Sequence, residues 1–141
     1  MATSKFFGDY LDPSVECTII AGSFAPNGSS AIAASGVEGI GVTVARTTTG
    51  VFTVTLASTY SSMVCANLTL ALATASSAAS DNRLELGAID VASAKTIVIR
   101  NIKAVHIDHS TPASSVALTC AAADIAANAA NRIHFMFLLR K

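Results

Sequence analysis

Three histidines, three cysteines and one glycine-rich run are the residues of this chain whose types could do chemistry. His106-Ile-Asp108-His109 places two imidazoles and a carboxylate within one short segment, and His134 joins them if its strand is a neighbour. A tetrahedral metal centre needs four ligands converging on one point. On a strand His106 and Asp108 share a face while His109 falls at the end, so a fourth ligand must come from elsewhere. The cluster reads as a polar strand end entering the turn Ser110-Thr-Pro112. Cys17, Cys65 and Cys120 match no metal or redox spacing, and an odd number leaves at least one thiol unpaired in a monomer. They are expected to pack as small buried apolar groups. No serine lies in a G-x-S-x-G elbow and no cysteine lies near a histidine in sequence, so a nucleophile–base pair has no signature. Gly36-Val-Glu-Gly39-Ile-Gly41 precedes a strand, whereas a dinucleotide fingerprint follows one and opens a helix. These glycines read as a tight turn into a hairpin. The expectation is a protein that is not an enzyme, with no catalytic residue, no cofactor and no bound metal.

The elements that carry these residues are strands. Ile40–Arg46 alternates, Thr47-Thr-Thr-Gly50 supplies a turn, and Val51–Ala57 alternates back, which is a strong hairpin pattern. Gly50 is expected at a positive φ that a threonine holds only at a cost. Further strands are expected at Glu16–Phe24, Met63–Leu72, Arg83–Val91, Lys95–Ile107, Ser115–Cys120 and Arg132–Arg140. In the last, Ile133, Phe135, Phe137 and Leu139 share one face. Ala73–Ser80 reads as a loop, and Ala121–Asn131 as a loop with one helical turn. The sum is an all-β chain, an antiparallel β-sandwich or jelly-roll-like barrel of about eight strands. Residues 1–14 form an N-terminal arm and 15–141 a single domain.

Composition narrows the function. Net charge is zero, with nine basic and nine acidic residues, so no phosphate-binding field is expected and nucleic acid is disfavoured as a ligand. Charged residues make up 13% of the chain and hydrophobic ones 52%, against a usual charged fraction of about 25%. From Thr47 to Ser80 there is no Lys, Arg, Asp, Glu or His. That stretch is too rich in Thr, Ser and Asn to be a membrane-spanning helix, which needs about 20 mostly apolar residues. A small β domain so poor in charge is expected to have part of its surface covered by other protein. The remaining charges, among them Arg46, Arg83, Arg100, Lys103 and Arg132, are spread singly and read as solvated strand ends. No secretory signal heads the sequence, so the sequons Asn27-Gly-Ser29 and Asn67-Leu-Thr69 are expected to stay unmodified in a reducing cytoplasm.

Phe6, Phe7, Tyr10 and Leu11 break the pattern, because they crowd the arm without a regular period. Either the arm folds back over one end of the sandwich or it extends to grip a neighbour. Disordered tails seldom carry so many aromatics.

Two segments resemble a known family. Gly39–Ala57, followed by Thr59-Tyr60, resembles the Gly-rich β-hairpin of small structural proteins of tailed-bacteriophage virions. Ala123–Arg140 resembles their closing loop and last strand, and Lys95–Arg100 adds to the likeness. Within that family the chain is most similar to a capsid decoration, or cement, protein. The resemblance implies a virion component made in the host cytoplasm and bound as a homotrimer to the outer surface of the head. Its partner would be the major capsid protein, with Phe6, Phe7, Tyr10 and Leu11 as capsid-binding residues and neither nucleic acid nor membrane as ligand. A tail, fibre or baseplate module that binds carbohydrate is the alternative on the same architecture.

Overall fold

The computed structural model describes residues 16–74, 80–105 and 119–141. Nine strands run in order: β1 (Cys17–Phe24), β2 (Val37–Gly39), β3 (Val42–Thr48), β4 (Val51–Leu56), β5 (Ser62–Ala71), β6 (Ser80–Asp90), β7 (Thr96–Val105), β8 (Thr119–Ala122) and β9 (Arg132–Arg140). Sheet A has the order β2-β1-β9-β5, and sheet B the order β3-β4-β7-β6 with β8 also paired to β7. Every pairing is antiparallel. The expected sandwich is present. Its strand count is nine rather than about eight, because the short β2 has no readable period.

Alternation drives the two sheets together. Ile133, Phe135, Phe137 and Leu139 of β9 are buried, as are Ile20 and Phe24 of β1. They meet Phe52, Val54 and Leu56 of β4 and Ile97 and Ile99 of β7 from sheet B. Phe24 links the layers, with its ring centroid 5.1 Å from Phe52 and 6.5 Å from Phe135. Phe135 stacks on Phe137 at 5.0 Å. Offset and tilted rings at these distances add attraction beyond the area they bury. Leu68, Leu70 and Leu72, expected on one face, pack half-buried against this core.

Local chemistry sets the turns. The β3–β4 turn is tighter than expected, since β3 continues through Thr48 and only Thr49 and Gly50 turn the chain. Gly50 has φ +64°, where any other residue but Asn or Asp is strained. The glycine run does turn the chain: Gly39 and Gly41, at φ +142° and +73°, carry it from sheet A into sheet B around Ile40. Ala121–Asn131 forms no helical turn. Ala121 and Ala122 belong to β8, and the segment up to Asn128 is extended or irregular. Buried Ile125 pins it, and the Asn131 side chain donates to Ala126 O at 2.9 Å. Tertiary anchoring overrides the helix preference of alanine.

Phe137→Ala removes a ring with no solvent exposure from the middle of sheet A. We expect a loss of about 3–5 kcal/mol in urea unfolding, with the far-UV spectrum of the folded variant still that of strands.

Candidate functional site

Pairing of Phe24 with Ile133 brings the end of β1 and the start of β9 to the same end of the sandwich. The two loops that leave there, 25–36 and 123–131, therefore lie side by side. Gly28 N donates to Ile125 O at 3.1 Å, and Ala25 N closes the first loop on Gly36 O at 3.0 Å. Between them opens a cleft of about 440 Å³ lined by Pro26, Asn27, Ala33, Ser35, Ala127 and Asn128, among others. Its lining is neutral and made of small residues. It offers shape and amide hydrogen bonds, and no acid–base pair.

A charged clamp holds this end in place. Arg46 Nε donates to Asp124 Oδ1 at 2.9 Å and Arg46 Nη2 to Asp124 Oδ2 at 2.7 Å. Gly50 N adds a third bond to Asp124 Oδ1 at 2.8 Å. The side chains are only 16% and 19% exposed. The Arg46 guanidinium holds the Asp124 carboxyl below its ordinary value, with the Gly50 amide helping against the opposing effect of burial. Arg46 is raised in turn, chiefly by its hydrogen bond to Asp124. Beside the clamp, fully buried Asn101 donates to Ala123 O at 2.7 Å and to Asn82 Oδ1 at 3.0 Å.

The third feature is the outer face of sheet A. Residues that alternate away from the core align across three strands in the rows Ile19–Leu138–Cys65 and Ala21–Met136–Asn67. Ile19 is 65% exposed, Met136 45%, and Val64, at the β5 bulge, 56%. The far end of this face is polar. Ser23 donates to Glu38 Oε2 at 3.0 Å and accepts from Arg132, which pairs with Glu38 Oε1 at 2.7 Å. The outer edge of β5, unpaired among the described residues, carries no charged residue along its whole length.

Several expectations change on this geometry. The three cysteines are exposed, not buried. Cys65 points outward because the bulge between Met63 and Cys65 reverses the alternation of β5. His134 stands exposed on sheet A, and its strand is not a neighbour of β7. His106, Asp108 and His109 lie outside the described residues, as do Phe6, Phe7, Tyr10 and Leu11. The arginines are less solitary than their spacing suggested: Arg46, Arg83 and Arg132 pair with Asp124, Glu85 and Glu38. Nothing in the sequence announced the Arg46–Asp124 clamp, since its partners are 78 positions apart. Among the described residues no group of three or more His, Cys, Asp or Glu could hold a metal ion. No helix there is long and apolar enough to cross a membrane.

No protein-family model matches the chain, and neither a curated protein nor a solved structure matches it.

The clamp predicts a pH dependence. The folded carboxyl of Asp124 titrates lower than the unfolded one, so the unfolded chain binds the proton more readily. The stabilisation is complete above about pH 4 and is lost as the pH falls through the folded value. Asp124→Asn should therefore lower the thermal midpoint at neutral pH. The gap between variant and wild type should close as both are acidified below about pH 4, a trend that thermal melts across pH would read directly.

Proposed function

We propose that the chain is a virion structural protein, a capsid decoration or cement protein that binds the outside of a phage head as a homotrimer and stabilises the shell. The observation that carries this reading is the combination of an uncharged ten-residue edge on β5, unpaired among the described residues, with an exposed apolar face beside it. An unguarded edge strand is a template for contact with other protein, and contiguous exposed apolar surface marks interaction sites. The two segments that carry the likeness to phage virion proteins also touch each other. Arg46 and Gly50 lie in the first and Asp124 in the second, so the resemblance covers one physical unit.

The mechanism is mechanical. A shell under outward pressure gains strength when an added protein ties together subunits that would otherwise separate. Engagement at three equivalent points slows release far more than any single contact does, and a threefold clamp matches local threefold positions of a shell. The arm residues Phe6, Phe7, Tyr10 and Leu11 supply the apolar anchors in this reading, since aromatics are enriched at the centres of interfaces. The cleft between loops 25–36 and 123–131 is a second contact at the end of the domain. The carbohydrate-binding alternative has less support. Sugar faces present exposed aromatics, and Phe24, Phe52, Tyr60, Phe135 and Phe137, the aromatics of the described residues, are all buried.

Purified protein should scatter light with the mass of three chains at micromolar concentration. It should bind mature heads that lack it and leave free capsid monomers unbound, because a clamp recognises a junction that exists only in the shell. Attachment should change little with salt, since in this reading the arm's contact is made by its four apolar residues rather than by its few charges, Lys5, Asp9 and Asp12. Deleting residues 1–12 should abolish or sharply weaken attachment while the trimer persists. Decoration at full strength by the deleted chain would move the contact to the loop cleft, and the mass of one chain would reject the trimer.

A further inference from the structure

The apolar outer face of sheet A begins where residues 1–15 join the domain. Glu16 sits beside the chain end, with Lys141 N donating to Glu16 O at 2.9 Å, and Cys17 pairs with Arg140. One step along the strands lies the row Ile19–Leu138–Cys65, and one step further the row Ala21–Met136–Asn67. Neither row contains a charge. Charges gather only at the ends, with Glu16, Arg140 and Lys141 near the start of β1 and Arg132 and Glu38 at the other end.

Size decides what covers this face. Three strands about 4.8 Å apart and about eight residues long at ~3.3 Å per residue give roughly 380 Å² in projection. That is under half of the ~800 Å² that each partner brings to a standard protein–protein interface. A second copy of the chain packed there would make a marginal contact. A single extended segment fits: ten residues reach about 33 Å, somewhat more than the length of the face. Residues 1–15 are such a segment, and they hold Phe6, Phe7, Tyr10 and Leu11. Leu11 is five residues before Glu16, a reach of about 17 Å, which takes it past the charged start of β1 to the first apolar row. Asp12 then falls within reach of Arg140 and Lys141, so the charges at this end are complementary as well.

We propose that in the unattached protein residues 1–15 lie across the outer face of sheet A, with Phe6, Phe7, Tyr10 and Leu11 against Ile19, Val64, Met136 and Leu138. This deepens the decoration reading and rests on it for one point only, that the same arm later leaves this resting place for the shell. The resting place itself is a property of the free protein and is tested without heads.

The native thiols report on it. Cys65 lies in the first apolar row of the face, on the edge strand β5 beside Leu138, while Cys120 lies on β8 in the other sheet and serves as the control. In the full chain carrying Cys17→Ser, maleimide labelling followed by peptide mass spectrometry gives the two rates separately. Replacing Phe6, Phe7, Tyr10 and Leu11 with serine should speed Cys65 by about tenfold or more, as release of a locally docked segment requires, and leave Cys120 unchanged. An unchanged Cys65 rate would overturn the proposal. So would protection of Cys65 that survives the replacement and deepens with protein concentration, because a second copy would then be the cover. If the replacement raises both rates through unfolding, the opposite side of the contact decides. Ile19→Asp with Met136→Asp, both at exposed positions, should make chymotryptic cleavage after Phe7 and Tyr10 about tenfold faster, and equal cleavage in the two chains would refute the docking.

Discussion

β4 and β8 share one edge of β7, and the place where they meet end to end ties the two sheets together. Asn101 of β7 stands at that join. Its N–H donates to Gly50 O at 2.8 Å and its carbonyl accepts from Ala123 N at 3.1 Å, so its backbone serves both incoming segments. No side chain fits at Gly50, because a Cβ there would stand 2.5 Å from Ala123 N. Asp124 then grips Arg46 of β3 and the Gly50 amide, and the next residue, Ile125, enters the core. The segment that crosses from sheet B to β9 of sheet A therefore leaves from a fixed point. Loop 25–36 leans on the same segment through Gly28, and the cleft at this end inherits its shape from the join.

How much of this was legible depends on whether a residue's role is local. β9 was readable to the residue on its inner face, since Ile133, Phe135, Phe137 and Leu139 were expected on one side and all four proved buried. The hairpin was readable too, and Gly50 took the positive φ its place demanded. β2 was invisible because three residues of mixed polarity have no period. Cys65 was misjudged for a related reason: one bulged residue shifts every later side chain on the strand by half a period, and bulges leave no mark in composition. The alanine run at 121–131 carries helix propensity, yet Ile125 and Asn131 find better partners in an extended path. Arg46 and Asp124 look like unrelated strand-end charges until the fold closes. Pairings that span most of a chain are a product of topology, and residue spacing does not encode them.

The scarcity of charge has a structural address. β6, one edge of sheet B, carries Asp81, Arg83, Glu85 and Asp90, which discourage another strand from pairing there. β2, one edge of sheet A, is too short to invite one. β5 has neither protection, and its neighbours Ile19, Val64 and Met136 widen the apolar surface beside it. Exposed apolar side chains are not confined to this sheet, since Leu86 and Ile89 stand on β6 and Ile40 between the sheets, but only in sheet A do they lie beside an uncharged edge strand.

The strand latest in sequence among the described residues is also an interior strand of its sheet. β9 hydrogen-bonds β1 on one side and β5 on the other, and its residues supply the largest share of the buried aromatic packing. Until Arg132–Arg140 has emerged, β1 and β5 have no common partner and the apolar faces of both remain uncovered. At roughly 5–20 residues per second the nascent chain waits for seconds in that state, so the sandwich closes only after β9 has emerged. Pairings between distant segments then set a slow pace. A translation product cut short before β9 would expose sticky strand edges without a closed domain, so the arrival of this one strand decides whether the chain is a folded unit or a tangle of uncovered edges.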